Sequence, residues 1–527
     1  MKFRPALALL GSLAFVSIAL AGAEPRRVVV LVWDGMRRDF ILPETTPNLW
    51  ALAQSGVFFA NHHPVYPSST EVNGTAMATG AYPGRSTIVG NNEFRPGIDP
   101  QKSVGTEIPA VVARGDALSH GRYLALDTVA EYLHARGQRT AIAGSKQVAL
   151  LHDRHPRADD AAASPIVFEG AAFPAGVEKK LSLALGPLPA VGQDSATGKA
   201  NKLERDVWTT RALLEVLWKD GVPPYSLLWL AEPDASQHAS APGSPAALTA
   251  VASSDRHLGE VLADLDRRGL RASTDVMVVS DHGFSTIAAT ADVAVELSKA
   301  GFDAARIFPG GLQPGKILVV SNGGTVFLYV AGHDAALAEK IAAWAQTQPW
   351  AGVIFSRAKI EGAFPLSTVH LESPEAPDLA IALRWMPGKN AHGTPGLIYS
   401  DGSDRGIGQG THATLSATDM ANTLVAAGPD FRAGVRDPLA TANTDLAPTI
   451  LWLLGHREAA ARRDGRVLSE ALTATDAPPL RTVNLNRLTA HRELPAGVWS
   501  QYLQTVEVNG VRYFDEGNGA FVPAGAK

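Results

Sequence analysis

Three apolar segments of this chain end alike, with acidic residues and histidines placed just beyond a run of aliphatic and β-branched side chains. The segments are Val28–Trp33, Tyr225–Leu230 and Thr274–Ser280. The polar residues that follow are Asp34, then Asp234 with His238, then Asp281 with His282. Short runs of this kind predict buried strands. Functional groups gather beyond the carboxyl ends of strands in open α/β sheets, so the endings predict one shared site.

Three carboxylates at one edge of a sheet would repel each other and destabilise the fold unless cations were present. Asp234 and His238 are four residues apart and share a face if they lie on a helical turn. Asp281 and His282 are adjacent, so a loop could bring both to one ion. Mixed Asp and His ligands suit zinc or a related transition ion better than calcium. A single Asp-His pair could belong to an ordinary turn. The prediction of a metal site therefore depends on finding three such strand endings in one chain.

Apolar strand-like runs alternate with helical patterns along most of the chain. The strand predictions are Arg27–Trp33, Val57–Ala60, Arg139–Ala143, Tyr225–Leu230 and Thr274–Val279, and the helix predictions are a helix from Pro47 to Gly56, Leu126–Gly137, Glu204–Leu217 and Ser253–Arg268. This alternation predicts an α/β fold with a mostly parallel central sheet and helices on both faces.

Other parts of the chain interrupt that alternation. Residues 91–125 and 152–203 are rich in Gly, Pro, Ala and Asp and are predicted to be loops or insertions, and residues 301–375 are predicted to form a small inserted lobe. Residues 24–477 would then form the main domain, with 478–527 as a C-terminal β appendage.

The first 23 residues combine a basic start, an apolar run and small residues suited to cleavage. They predict a signal peptide, with an uncleaved membrane anchor as the alternative. The chain contains no cysteine, which excludes lipoprotein anchoring, disulfides and thiolate catalysis. Its formal charge of −5 gives no basic footprint for nucleic acid. We expect a periplasmic or secreted protein without a stable membrane anchor, and the sequence does not predict its oligomeric state.

The segment PSSTEVNGTAMATG, which begins at Pro67, is predicted to contain a helix over Glu71–Thr79 with Thr70 as its cap. A hydroxyl group there would face free backbone N–H groups and the positive end of the helix dipole. That position favours a nucleophile that attacks phosphorus. The alternative is that Thr70 only caps the helix, because capping threonines are common.

An ordered set of motifs resembles the alkaline phosphatase superfamily, and most closely its nucleotide pyrophosphatase/phosphodiesterase branch. The motifs are Asp34-Gly35, TTPNLWALAQSGV, Thr70-x-x-Asn73, TGAYP, Asp234-x-x-x-His238, SDHG, GTH and TDLAPTILWLLG. No single motif is specific, but the ordered set is, and it covers most of the predicted core. The resemblance implies a phosphoric ester hydrolase with two zinc ions, or other divalent transition ions, and a phospho-threonine intermediate.

Carried over residue by residue, the resemblance implies two sets of ligands. One ion would be held by Asp234, His238 and His412, and the other by Asp34, Asp281, His282 and the Thr70 oxygen. His392 competes with His412, which is preferred because it precedes a strand that the family also has. Ser68 and Ser69 compete with Thr70, which lies at the family's distance from the TGAYP motif. Asn73 would bind the phosphoryl oxygens.

The resemblance implies a small phosphorylated substrate, nucleotide-like or another phosphoester, and most closely a diester. In related phosphomonoesterases and phosphonoacetate hydrolases, a lysine in a segment like that of Lys146 contacts the substrate. Lys146 could therefore favour a monoester or a phosphonate, or it could be a solvated surface lysine. The phosphatases have an arginine two positions later, where this chain has Val148. An alternative of another class is a non-catalytic, metal-stabilised export protein that binds phosphorylated ligands.

Overall fold

The computed structural model describes residues 26–154, 164–189, 202–402, 405–480 and 482–525. The predicted signal peptide lies outside these described residues. Within them, no helix combines the length and the apolar character that crossing a membrane requires.

A nine-stranded sheet forms the centre of the molecule. Its strands in chain order are β1 (Arg27–Trp33), β2 (Val57–His63), β3 (Thr140–Gly144), β4 (Ile166–Phe168), β5 (Ala171–Phe173), β6 (Tyr225–Leu230), β7 (Thr274–Val279), β8 (Leu424–Ala427) and β9 (Val435–Ala442). Their spatial order is β9-β2-β8-β7-β1-β6-β3-β4-β5. Five of the eight pairings are parallel, and the antiparallel ones involve β8 on both sides and β5. The predicted mostly parallel α/β fold is therefore confirmed.

Helices cover both faces of this sheet. Successive side chains of each strand point to opposite faces, so each face has its own hydrophobic core. Val28, Val30 and Val32 pack on one face with the helices that contain Val72 and Ile450. Val29, Leu31 and Trp33 face the opposite core, with the helices Pro47–Ser55 and Pro245–Arg267. A strand that is apolar at every position is thus explained by burial on both sides.

Several predicted helix boundaries differ from the observed ones. The predicted helix over Leu126–Gly137 is limited to Val129–His134, which begins after Thr128 with a capping box. The helix predicted over Glu204–Leu217 is Lys202–Arg211, followed by a π-helical segment over Ala212–Leu217. The helix predicted from Ser253 begins earlier, at Pro245, where Ser244 caps it. The caps at Thr128 and Ser244 set the start of two of these helices, which the apolar periodicity did not show.

Residues 91–125 and 152–203, which were predicted to be loops or insertions, contain regular secondary structure. The first segment contains the helix Pro109–Ser119, and the described part of the second contains β4, β5 and the helix Ala175–Leu185. Strands of three residues are too short to show a period of two in the sequence.

A smaller lobe is built on a six-stranded sheet that extends slightly beyond residue 375. Its strands, in spatial order, are Asp303–Ala305, Lys316–Ser321, Thr325–Val330, Leu379–Leu383, Ala351–Ser356 and Phe364–Pro365, and the helices Val293–Lys299 and Ala335–Ala345 cover it. A four-stranded sheet of Trp385–Lys389, Pro395–Asp401, Ser285–Ala291 and Gly410–Thr411 follows beside the main sheet.

The C-terminal residues form an antiparallel sheet of three long strands, Val483–Leu494, Gly497–Val508 and Val511–Pro523. This sheet is bound to both other parts of the molecule. The Gln501 side chain exchanges two hydrogen bonds with the backbone of Ile354 in the smaller lobe. The Tyr513 hydroxyl donates to Asp445, which directly precedes the helix Leu446–Leu453 of the main domain.

Candidate metal centre

The three acidic strand endings meet because their strands are neighbours in the sheet. Strand β1 lies between β7 and β6, and all three run parallel. Their carboxyl ends therefore reach the same edge, where Asp34, Asp281 and Asp234 follow. All three are buried, with at most 5% of the residue exposed.

Two groups of potential ligands form at this edge. Asp234, His238 and His412 each offer one atom within 4.8 Å of the others, and Asp34, Asp281 and His282 do the same. The helix Asp234–Ser240 brings His238 onto the face of Asp234, with 3.2 Å between Nε2 and Oδ1. These are the six side chains that the sequence grouped into two ligand sets.

The two groups are in direct contact with each other. The His282 ring is stacked on the His412 ring, with 3.6 Å between the ring centroids. The His282 Nε2 atom lies 4.0 Å from Asp234 Oδ1, an oxygen of the other group. The two ligand sets thus lie side by side, which is the arrangement that a two-metal centre requires.

The orientations of the histidines fit metal binding. The Nδ1 atoms of His238, His282 and His412 lie 2.8–2.9 Å from the backbone carbonyl oxygens of Gly410, Gly283 and Ser68, respectively. A carbonyl can only accept, so each Nδ1 carries the proton and each Nε2 is left with its lone pair for a ligand bond.

The carboxylates fit as well. Asp34 Oδ1, Asp234 Oδ1 and Asp281 Oδ2 are buried and accept no hydrogen bond from the described residues. The other oxygens are anchored: Trp229 Nε1 donates to Asp34 Oδ2 at 2.9 Å, and the Gly35 N–H donates to Asp281 Oδ1 at 2.9 Å. Buried carboxylate oxygens without a donor are costly unless a cation binds them. Oxygen and imidazole ligands in groups of three suit zinc.

The protonation of these groups depends on how closely they are packed. Burial and the neighbouring Asp281 raise the pKa of Asp34 well above its usual value. Burial also raises the pKa of Asp234, but His238 and Lys146 outweigh that effect and hold the pKa well below its usual value. Burial and the nearby His282 and His238 lower the pKa of His412. His412 is therefore neutral, which is the form that binds metals.

Thr70 lies directly beside these ligands. It is the first residue of the helix Thr70–Thr79, and its Oγ1 atom is 3.2 Å from His282 Nε2. The expectation that Thr70 caps this helix was wrong, because Ser69 occupies the capping position. The Thr70 hydroxyl is free of a capping role and points to the ligands.

The rival residues are placed differently. The Ser68 hydroxyl donates to the Thr414 carbonyl at 2.8 Å, and the Ser69 hydroxyl is buried without a partner among the described residues. His392 lies exposed in a turn, where its N–H donates to Asn390.

The structure does not support the predicted role of Asn73 in binding phosphoryl oxygens. Its side chain is fully buried, and its Nδ2 donates to the carbonyls of Val65, Pro67 and Ser69. Its Oδ1 accepts from the Val65 N–H at 2.8 Å and from Asn443 at 3.0 Å. Helical side chains lean toward the N-terminus of their helix, so Asn73 lies beneath the preceding loop and holds it.

Asn91 is the amide that does reach the pocket, and the sequence reasoning missed it. Its Oδ1 accepts the Glu71 N–H at 3.2 Å, which fixes the side chain beside the start of the Thr70 helix. Its Nδ2 makes no hydrogen bond that the described residues provide, and the residue lines the cavity with Thr70. The available signal was the polar pair Asn91-Asn92, which follows the apolar Ile88 and Val89.

Lys146 also lines this cavity, but its ammonium group contacts the ligands themselves. Nζ lies 2.8 Å from Asp34 Oδ2 and 3.1 Å from Asp234 Oδ2. Burial lowers the pKa of Lys146, but the charges of Asp234 and Asp34 outweigh this and raise the pKa well above its usual value. The alternative of a solvated surface lysine is therefore wrong.

A cavity of about 600 Å³ opens beside the two ligand groups. Its walls include Thr70, Glu71, Asn91, Lys146, Asp234 and His412. The cavity thus gives a small phosphorylated molecule access to the Thr70 hydroxyl and to the group of Asp234, His238 and His412.

Comparison with known proteins agrees with this geometry. The family model for type I phosphodiesterases/nucleotide pyrophosphatases matches residues 28–386. Among curated relatives, venom phosphodiesterase 2 of Crotalus adamanteus is 24% identical over 269 residues, which is 51% of this chain and 28% of that protein. Ectonucleotide pyrophosphatase/phosphodiesterase family member 3 of Mus musculus is 21% identical over 263 residues, which is 49% of this chain and 24% of that protein. The match spans about a quarter of the length of these relatives.

Solved structures support the fold. Murine ectonucleotide pyrophosphatase/phosphodiesterase 5 superimposes with a TM-score of 0.57 and 17% identity, covering 82% of this chain and 95% of that one. An inactive threonine-to-alanine variant of the same murine protein, in complex with AMP, matches with a TM-score of 0.57 and 16% identity, over the same shares of the two chains.

Proposed function

The chain belongs to the type I phosphodiesterase/nucleotide pyrophosphatase family, and we propose that it is an exported two-zinc phosphodiesterase that acts through a phospho-threonine. The observation that carries this proposal is the position of the Thr70 hydroxyl, 3.2 Å from a ligand nitrogen of His282, at the meeting point of the two ligand groups. The proposed location is the periplasm or the medium.

Asp234, His238 and His412 would hold one zinc ion, and Asp34, Asp281, His282 and the Thr70 oxygen the other. Bound there, the two ions would supply the positive charge that lowers the pKa of the Thr70 hydroxyl and stabilises the leaving oxygen. Against three aspartates they leave a local charge of about +1, which attracts a phosphoester although the whole chain is acidic.

The reaction of the chain's own residues follows from their positions. The Thr70 oxygen forms a bond to phosphorus while the ester oxygen leaves from the opposite side, and water then hydrolyses the phospho-threonine. The free Nδ2 of Asn91 would donate to a phosphoryl oxygen, the role that the sequence had given to Asn73. The backbone carbonyls that accept from each Nδ1 favour the tautomer in which Nε2 can bind a metal.

Replacement of the nucleophile tests this proposal directly. Thr70→Ala should abolish hydrolysis of bis-p-nitrophenyl phosphate, while zinc content and the circular dichroism spectrum stay unchanged. Ser69→Ala is the matched control, since it removes a neighbouring hydroxyl. Turnover by Thr70→Ala at the wild-type rate would show that the nucleophile has been assigned wrongly. Loss of zinc together with inactivity would favour a structural role for Thr70.

A phosphomonoesterase or phosphonate hydrolase is the second candidate, and Lys146 is the observation that favours it. Its ammonium group lies in the cavity, where it could contact the extra charged oxygen of a monoester. Val148, at the position of the phosphatases' arginine, is fully buried and faces the core position of Gly74. The segment of Lys146 thus offers one cation where the phosphatases have two, and we propose the diesterase.

The choice is tested by comparing two substrates. Bis-p-nitrophenyl phosphate should be hydrolysed faster than p-nitrophenyl phosphate, and Lys146→Ala should reduce monoester turnover more than diester turnover. The reverse ranking would assign the chain to the monoesterases. Tight phosphate binding without hydrolysis of either substrate would support the non-catalytic alternative.

A further inference from the structure

A second cavity, of about 450 Å³, lies at the end of the central sheet where β9 is the last strand. Three parts of the chain enclose it: the short helical turn Arg38–Phe40, the helix Pro47–Ser55, and the neighbouring strands β2 and β9. No described residue that lines it is a candidate metal ligand, and none of them lines the cavity beside Thr70. The cavity is therefore separate from the metal centre.

Two arginines line this cavity, and neither forms an ion pair with a described residue. The Arg38 guanidinium donates to the Ala60 carbonyl through Nη1 at 2.8 Å, and its other N–H groups have no hydrogen-bond partner in the described part of the chain. The Arg436 guanidinium lies 4.7 Å from the centroid of the Phe58 ring. A guanidinium presents a planar fork of N–H donors that matches a carboxylate. The two arginines can therefore receive an anion.

An irregularity in strand β2 fixes the position of Arg38. The pairing of β2 with β9 shifts its register between Phe59 and Asn61, and Ala60 has no partner in that pairing. A bulge of this kind leaves a residue unpaired in the ladder of hydrogen bonds. Arg38 supplies the donor that the Ala60 carbonyl would otherwise lack, so the guanidinium is held at the cavity wall.

The nearby carboxylates do not cancel the positive charge. Asp39 lines the cavity, but both of its oxygens are bound by Arg37, with Nε 2.9 Å from Oδ1 and Nη2 2.7 Å from Oδ2. Burial raises the pKa of Asp515, the other neighbour, to about 6. Burial also lowers the pKa of Arg38; Asp39 and Asp515 offset this only in part, and Arg436 adds to it. Three arginines thus face two carboxylates, and one positive charge remains.

The rest of the wall is mostly apolar. Apart from Gln54, its side chains include Ile41, Ala53 and the rings of Phe58 and Trp50. Trp50 is 38% exposed, which leaves an indole face open to a ligand. Sites for small organic molecules typically combine such an apolar wall with a few convergent polar groups, in a cavity of this size.

We propose that this cavity binds a small aromatic carboxylate, with its carboxylate group between Arg38 and Arg436 and its ring against Trp50. The arginines would repel an ammonium compound, and a small inorganic anion would leave the indole ring uncovered. The inference does not depend on the proposed hydrolase function, because the described residues of this site take no part in the metal centre.

The proposal is tested by calorimetric titration of the zinc-loaded protein with 2-naphthoate and with 2-naphthamide, which keeps the ring but has no charge. The wild type should bind naphthoate about tenfold more tightly than naphthamide, as a charge-assisted bond to guanidinium predicts. Arg38→Gln and Arg436→Gln should each reduce that ratio to below about threefold, and Trp50→Ala should weaken the binding of both compounds. Arg462→Gln, at a side chain that is 77% exposed, is the matched control and should keep the wild-type ratio.

Carboxylates also bind zinc, so the variants must show where the ligand lies. Naphthoate binding that Arg38→Gln and Arg436→Gln retain but His412→Ala abolishes would place the ligand at the metal centre and overturn the inference. Equal binding of the two compounds by the wild type, or binding of neither, would also overturn it. Because Arg436 is exposed, its replacement should leave the fold intact even if Arg38→Gln proves unstable, and circular dichroism checks this.

Discussion

Asn73 and Asn91 offer the sharpest test of the site. Asn73 is expected to stabilise the loop before the Thr70 helix, and Asn91 is expected to bind the substrate. In Asn73→Ala, the buried Val65 N–H loses its acceptor and the Val65 carbonyl its donor. The Pro67 and Ser69 carbonyls keep backbone donors, and Asn443 still donates to the Asp281 carbonyl. Each orphaned buried group costs roughly 1–3 kcal/mol, so the two together should reduce the free energy of unfolding by about 2–6 kcal/mol.

Asn91→Ala should behave in the opposite way. It removes one acceptor from the Glu71 N–H, a partly buried hydrogen bond worth about 1 kcal/mol. Loss of a donor to the phosphoryl oxygens should instead lower kcat/KM by about 100- to 1,000-fold.

The assay is urea unfolding of both variants at equal zinc loading, together with kcat/KM for bis-p-nitrophenyl phosphate. The structural assignment of Asn73 would be refuted if Asn73→Ala kept the wild-type free energy of unfolding but lost as much kcat/KM as Asn91→Ala. In that case, the Asn73 side chain would have to leave the loop and meet the substrate.

Further predictions concern the ligands and the response to pH. His412→Ala should lose one of the two zinc ions in metal analysis, whereas the exposed His392→Ala should keep both. Trp229→Phe removes the donor to Asp34 and should weaken zinc binding about 10- to 100-fold in a chelator competition. Burial lowers the pKa of His152 to about 3, so the free energy of unfolding should fall as pH decreases from about 6.5 toward 3. His152→Leu should reduce that slope by about 1.4 kcal/mol per pH unit in urea titrations, and an unchanged slope would contradict the assignment.

The sequence predicted the sheet edge well, because strong local signals coincided there. Tyr225–Leu230 and Thr274–Val279 have the predicted bounds, since a strand buried on both faces is a continuous apolar run. Side chains that follow neighbouring parallel strands lie at the same edge of the sheet, so their meeting could be predicted without knowing the loop structures. The structure accordingly brings Asp34, Asp234 and Asp281 together.

Other features could not be predicted, because they depend on where side chains point and on how distant segments pack together. The resemblance implied that Asn73 binds the phosphoryl oxygens, but a motif does not show that the side chain leans back beneath the preceding loop. Asn91 comes to the pocket through a segment that had been interpreted as an insertion. The antiparallel placement of β8 between β2 and β7 likewise follows from tertiary packing, which short apolar runs do not encode.

The position of β8 has a consequence for how the chain acquires its activity. The sheet stays divided until residues 424–427 have been synthesised and inserted between two strands made much earlier. Non-local pairings of this kind are slow to form. A nascent chain therefore keeps its central sheet divided until about four fifths of its 527 residues are available. The proposed activity would then appear only after Leu424–Ala427 has joined the two parts of the sheet.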